Sequence, residues 1–147
     1  MTLSYQVLGL KTGFYYQFKV QSVNNMGSSE MSPASLRVIT ALVPGIPTGL
    51  TLKARSSQSL TFEWQSPADN GGAPLISYYV YQAIGNGAFQ KITNAPAELN
   101  PSITVNTENN LSSSQNYRFK VSAVNIIEEG IISPEIFVIA ANLPQKP

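Results

Sequence analysis

Short runs rich in Val, Ile, Tyr, Phe and Thr alternate along this chain with clusters of Gly, Pro, Asn and Ser, at intervals of about ten residues. Helical periodicity is almost absent, so the pattern predicts an all-β sandwich. The predicted strands of the longer, C-terminal part are 49–55, 59–65, 75–83, 88–92, 102–107, 115–124 and 132–140. Nearer the N-terminus, SYQVL (4–8) and the segment that follows it supply three more.

The chain also repeats itself. LKTGFYYQFKVQSVNNMGSSEMSP (10–33) lies over LSSSQNYRFKVSAVNIIEEGIISP (111–134) at a shift of 101 residues, with nine of 24 positions identical and no gap. A period of that size equals one sandwich domain and is far too long for a solenoid unit. Pro44 and Pro47 in ALVPGIP (41–47) restrict the backbone and mark a junction. The expected division is therefore a partial unit over 1–41, a linker over 42–47, a complete domain over 48–142, and the start of a further linker over 143–147.

Composition removes several function classes. Nine Lys and Arg against eight Asp and Glu leave a net charge of +1 with no basic run, so no nucleic-acid partner is expected. No window approaches the roughly 20 apolar residues of a membrane span, so no membrane insertion is expected within the segment. The chain has no Cys and no His, which takes away disulfides, the commonest metal ligand and the commonest general base. No enzyme activity, metal or cofactor is expected.

Several separate marks resemble the fibronectin type III family. Trp64 stands on the second predicted strand, where that family places its core tryptophan, and PADNGGAPLISYYV (67–80) resembles its B–C turn and C strand. Leu111 and Tyr117 resemble its tyrosine corner, and Leu10 and Tyr16 repeat that spacing. The resemblance implies a seven-stranded immunoglobulin-like β-sandwich, with 1–41 supplying only strands E, F and G of a preceding copy. It also implies that Tyr78, Val80, Tyr117, Phe119 and Val121 point inward with Trp64 and Leu111. The N-terminal copy lacks strands A to C′, so its apolar face has no facing sheet; it is expected to be poorly ordered, or to pack on the second copy or on another chain by self-association.

Candidate functional residues follow from the same resemblance. Tyr79 and Tyr81, turned outward beside Arg118 and Lys120, form a possible protein-binding sheet face, with cross-strand stacking and cation–π cover as the structural alternative. The loop NIIEEGII (125–132) sets Ile126 and Ile127 beside Glu128 and Glu129. An interdomain contact of Phe14 with Ile126 or Ile127 is expected there, ahead of an external ligand. Glu128 and Glu129 read as solvated charges, not as an acid–base pair. ADNGG (68–72) reads as a turn, and no Arg-Gly-Asp triplet occurs. Asn110-Leu111-Ser112 matches the N-glycosylation signal. The expected function is a non-catalytic protein-interaction or spacer module of a larger multidomain protein, extracellular or cell-surface and of adhesion type. The alternatives are an intracellular cytoskeletal, sarcomere-like scaffold and a spacer attached to a secreted hydrolase.

Overall fold

The computed structural model describes residues 3–56, 58–92, 99–109, 111–112 and 115–140. Among these described residues eleven strands follow in chain order: β1 (Tyr15–Tyr16), β2 (Val23–Asn24), β3 (Gly27–Ser28), β4 (Val38–Ile39), β5 (Thr48–Arg55), β6 (Ser59–Gln65), β7 (Leu75–Ile84), β8 (Gln90–Lys91), β9 (Ser102–Asn106), β10 (Gln115–Asn125) and β11 (Ile136–Ala140). One 3-10 turn, Thr107–Asn109, joins β9 to β10.

β5 to β11 make a sandwich of two antiparallel sheets, one ordered β5-β6-β9 and the other β11-β10-β7-β8. Period-two alternation explains the layering, because successive side chains of a strand point to opposite faces. Leu60, Phe62 and Trp64 leave β6 on one face and meet Tyr78 and Val80 of β7 and Tyr117, Phe119 and Val121 of β10. Val105 and Leu111 complete that buried set. Phe62 and Phe119 join the two sheets with ring centroids 4.3 Å apart, and Trp64 meets Tyr78 edge-on at 5.4 Å. Burial of each such side chain contributes about 1.5–3 kcal/mol. The seven residues assigned to the core from the sequence, Trp64, Tyr78, Val80, Leu111, Tyr117, Phe119 and Val121, are all buried.

The last strand is shorter than its predicted span of 132–140. Val121 N–H donates 3.0 Å to the Ser133 side-chain oxygen, and Ser133 N–H donates 2.8 Å to the Val121 carbonyl, so a side chain replaces one rung of the ladder. Pro134, which has no N–H, follows at once, and regular pairing resumes at Ile136. The fourth predicted strand, 88–92, is also reduced, to Gln90–Lys91.

Residues 14–40 form a long hairpin in which β1 pairs with β4 and β2 with β3. Its hydrogen bonds repeat those of the sandwich 101 residues later. Val20 N–H donates to the Ser32 hydroxyl oxygen as Val121 does to Ser133. Ser29 N–H donates to Ser22 O as Gly130 N–H does to Ala123 O. Lys11 N–H donates 2.9 Å to the Tyr16 hydroxyl, and Ser112 N–H donates 2.7 Å to that of Tyr117. A backbone-directed local code therefore builds the hairpin and the tyrosine corner in both places. The environments differ: Val121 is fully buried whereas Val20 is 73% exposed.

The strand expected at SYQVL is absent, and residues 4–8 have no regular structure. A strand in that position pairs with a neighbour equivalent to β6, as β9 does, and among the described residues the N-terminal copy has none. Of the alternatives expected for 1–41, the structure shows packing on the second copy: 14–40 is a hydrogen-bonded hairpin, and Thr12 and Gly13 beside it lie against Gly72.

Candidate functional site

Polar groups from several segments converge where the linker crosses one end of the sandwich. Leu42 N–H donates 2.8 Å to Gly71 O, Gly45 N–H donates 2.9 Å to Asp69 O, and Ile131 N–H donates 3.2 Å to Pro44 O. Asn125, at the end of β10 and only 2% exposed, supplies the cross-link. Its Nδ2 donates to Leu42 O at 2.7 Å and to Asn70 O at 2.9 Å. Its Oδ1 accepts from Ile127 N–H at 2.9 Å and from Glu128 N–H at 3.3 Å. One amide side chain thus binds the linker, the 68–72 turn and the 126–128 turn together. A buried amide with both ends paired is rigid, because each lost bond leaves a desolvated group without a partner.

Close approach explains two of the glycines. A Cβ on Gly71 would lie 2.1 Å from Leu42 O, and one on Gly130 would lie 2.2 Å from Pro44 O. Gly71 also has φ +74°, a conformation that only glycine adopts freely. The turn is organised by Asp69 Oδ1 accepting from Gly71 N–H and Asn70 Oδ1 accepting from Gly72 N–H. Asp69 and Asn70 are thus spent on their own backbone, in line with the turn reading of ADNGG. Among the described residues no group of three metal-ligating side chains occurs.

The hairpin reaches this junction through Thr12 and Gly13, which lie directly against Gly72. The contact expected between Phe14 and Ile126 or Ile127 is corrected accordingly. Phe14 is exposed, and so are Ile126, at 68%, and Ile127, at 46%. The approach runs instead through backbone and glycine, where the absence of side chains lets two turns come together. Asn125, which sequence reasoning passed over, carries what the isoleucines were expected to carry. Its only signal was an Asn at the shared hairpin position that Asn24 occupies in the first copy.

The outer face of the four-stranded sheet holds the second cluster. Tyr79 and Tyr81 point outward as expected, and Lys120 stands opposite Tyr81 in the register. The cation on the tyrosines is Lys91, whose Nζ lies 3.2 Å from the Tyr79 ring centroid and 5.5 Å from that of Tyr81. Arg118 and Lys120 cover Phe89 instead, at 4.8 and 4.3 Å, and both pair with Glu135. Arg118 also donates to Gly85 O and Gly87 O, at 2.8 and 2.6 Å. Glu129 accepts from the Tyr81 and Ser122 hydroxyls and pairs with Lys91 at 3.4 Å.

Glu128 is exposed, as a solvated charge would be, whereas Glu129 is half-buried in this network. Burial opposes the Glu129 charge. The bonds from Ser122 and Tyr81, with Lys91 beside them, outweigh it and hold the carboxyl below its usual range. Burial first, and then the bond to that carboxylate, push the Tyr81 hydroxyl up to about 12. This face is closed on itself by cross-strand and cation–π contacts, and leaves its charges paired. Asn110, the glycosylation candidate, lies outside the described residues. Among the described residues no helix is long and apolar enough to cross a membrane.

Comparison with known proteins places these features. The fibronectin type III domain profile matches residues 45–139. The striated-muscle M-protein of Gallus gallus is 35% identical over 130 residues, which cover 84% of this chain and 9% of that protein. A titin homolog of Caenorhabditis elegans is 30% identical over 125 residues, covering 83% of this chain and 1% of that protein. Among solved structures, titin domains A168–A170 superpose with a TM-score of 0.70 over 91% of this chain and 44% of that one, at 22% identity, which speaks to fold. The chain thus spans about a tenth or less of the curated relatives named here. The first of these is named as a striated-muscle protein; the relatives favour the scaffold alternative over the cell-surface reading and lend cell adhesion no support.

Proposed function

This chain belongs to the fibronectin type III family, and from that premise we propose that it is a non-catalytic scaffold segment of a larger, sarcomere-like intracellular protein, holding its sandwich at a set angle to the unit before it. The relatives support the muscle-type setting. The observation that carries the angular part is Asn125, which binds the linker carbonyl of Leu42 and the turn carbonyl of Asn70 at once. A flexible string of modules has no use for a buried donor on its linker, whereas a spacer that keeps orientation needs one. In this reading residues 1–41 belong to the neighbouring unit, and 42–47 are a fitted joint instead of a loose tether. Protein partners then bind to surfaces whose relative placement the joint preserves.

The test is the alignment of the two parts in solution. Residual dipolar couplings from amides in 14–40 and in β5–β11 should fit one alignment tensor, and Gly71→Ala, whose Cβ collides with Leu42 O, should split them into two. Two independent tensors in the unmodified chain would sink the fixed-angle reading. The cellular part is tested by antibody labelling of the native protein, which should require permeabilised cells; labelling of intact cells would restore the cell-surface reading.

A further inference from the structure

The strands at the sheet edges of the sandwich differ in how they are guarded. An edge strand offers unpaired N–H and C=O groups to any other strand, and charges, bulges, proline or shortness normally block that pairing. β5 carries Lys53 and Arg55 and two breaks in its register with β6. β8 is two residues long and includes Lys91. β9 alternates Ser102, Thr104 and Asn106 with its apolar residues. β11 has none of these guards: it reads Ile136-Phe137-Val138-Ile139-Ala140, pairs with β10 in unbroken register on one side, and among the described residues has no strand on the other. Ile46–Leu50 and Ser133–Ile136 line a groove of about 400 Å3, and among the described residues β5 approaches β11 without forming a ladder with it.

Its outward side chains point the same way. Phe137 is 72% and Ile139 60% exposed. The neighbouring Arg118 is already taken up by Glu135 and by the carbonyls of Gly85 and Gly87, so the edge shows no unpaired charge to a charged peptide.

We propose that β11 is a self-pairing edge through which two copies of this chain associate, antiparallel about a two-fold axis at Val138, joining two four-stranded sheets into one of eight. The segment is complementary to itself in that arrangement. Phe137 stands opposite Ile139 of the second copy, Ile136 opposite Ala140, and Val138 opposite its own counterpart, with no charge facing a like charge. Apolar cross-strand pairs then cover the side chains that a single copy leaves in water. A contact of five residues a side buries less than the roughly 1,200 Å2 of a standard stable interface, so the association is weak and concentration-dependent.

Sedimentation equilibrium of the full chain tests this. The weight-average mass should rise from 15.9 kDa towards twice that value as concentration approaches about 1 mM, the affinity range of such small interfaces. Phe137→Lys with Ile139→Lys should hold it at the monomer value, and Phe137→Lys alone serves if the pair perturbs folding. Val20→Lys, on the open face of the N-terminal hairpin, should leave the rise unchanged. A strict monomer near 1 mM overturns the proposal. So does a dimer that survives the β11 variants, or one that Val20→Lys abolishes, which would move self-association to the hairpin.

Discussion

Replacing Asn125 separates the joint from the sandwich that carries it. Asn125→Ala removes two donor bonds, to Leu42 O and Asn70 O, and two acceptor bonds, from Ile127 and Glu128 N–H, at a site that is 2% exposed. Each bond contributes about 1 kcal/mol net, and buried groups left unpaired cost about 1–3 kcal/mol, partly relieved where the turn relaxes into water. A loss of about 3 kcal/mol follows, or about 15 °C in melting temperature for a unit of this size. Asn125→Asp refines the assignment, because it keeps the acceptor for Ile127 and Glu128 while placing a second carboxylate oxygen against two carbonyls. That carboxyl is favoured in its protonated form when folded, so its pKa is raised. The stability it allows is present below the ordinary aspartate range near pH 3.9 and is lost as pH rises through the folded value. Thermal unfolding followed by circular dichroism between pH 3 and 7 should therefore show Asn125→Asp falling increasingly behind the native chain. A cost under about 0.5 kcal/mol for Asn125→Ala would refute the latch, since that is the scale of an ordinary surface change.

Three further outcomes are expected. Tyr117→Phe, which deletes the hydroxyl that accepts from Ser112, should cost about 1–2 kcal/mol in denaturant unfolding, while Tyr16→Phe, in the open hairpin, should cost much less; equal costs would contradict the role given to burial. The raised Tyr81 group contributes stability that is complete below pH 10.0 and is lost as pH rises towards about 12, and ultraviolet titration of Glu129→Gln should bring one tyrosine transition back towards 10.0. The depressed Glu129 group contributes stability present above its ordinary value of 4.5 and lost as pH falls through its lower folded value, so an acid unfolding limb that Glu129→Gln leaves unmoved would contradict the network.

The strand at 59–65 with Trp64 on it, the inward side of Tyr78 and Val80 and of Tyr117, Phe119 and Val121, and the tyrosine-corner spacing were all legible in the chain. Period-two burial and a hydroxyl bound to nearby backbone are local rules that repeat wherever the residues repeat. For the same reason the hairpin hydrogen bonds at 20–32 recur at 121–133 although only one of the two sites is buried. What tertiary structure alone decided were pairings between residues far apart in sequence. Lys91, not Arg118 or Lys120, covers Tyr79, because β8 brings it across the sheet. Asn125, not Ile126 or Ile127, holds the linker, because a buried amide can satisfy carbonyls from segments 55 and 83 residues away, and no local pattern states which carbonyls will arrive. Likewise, Ile136–Ala140 reads as one more apolar strand in the sequence, and its unguarded edge exists only because the sheet ends there.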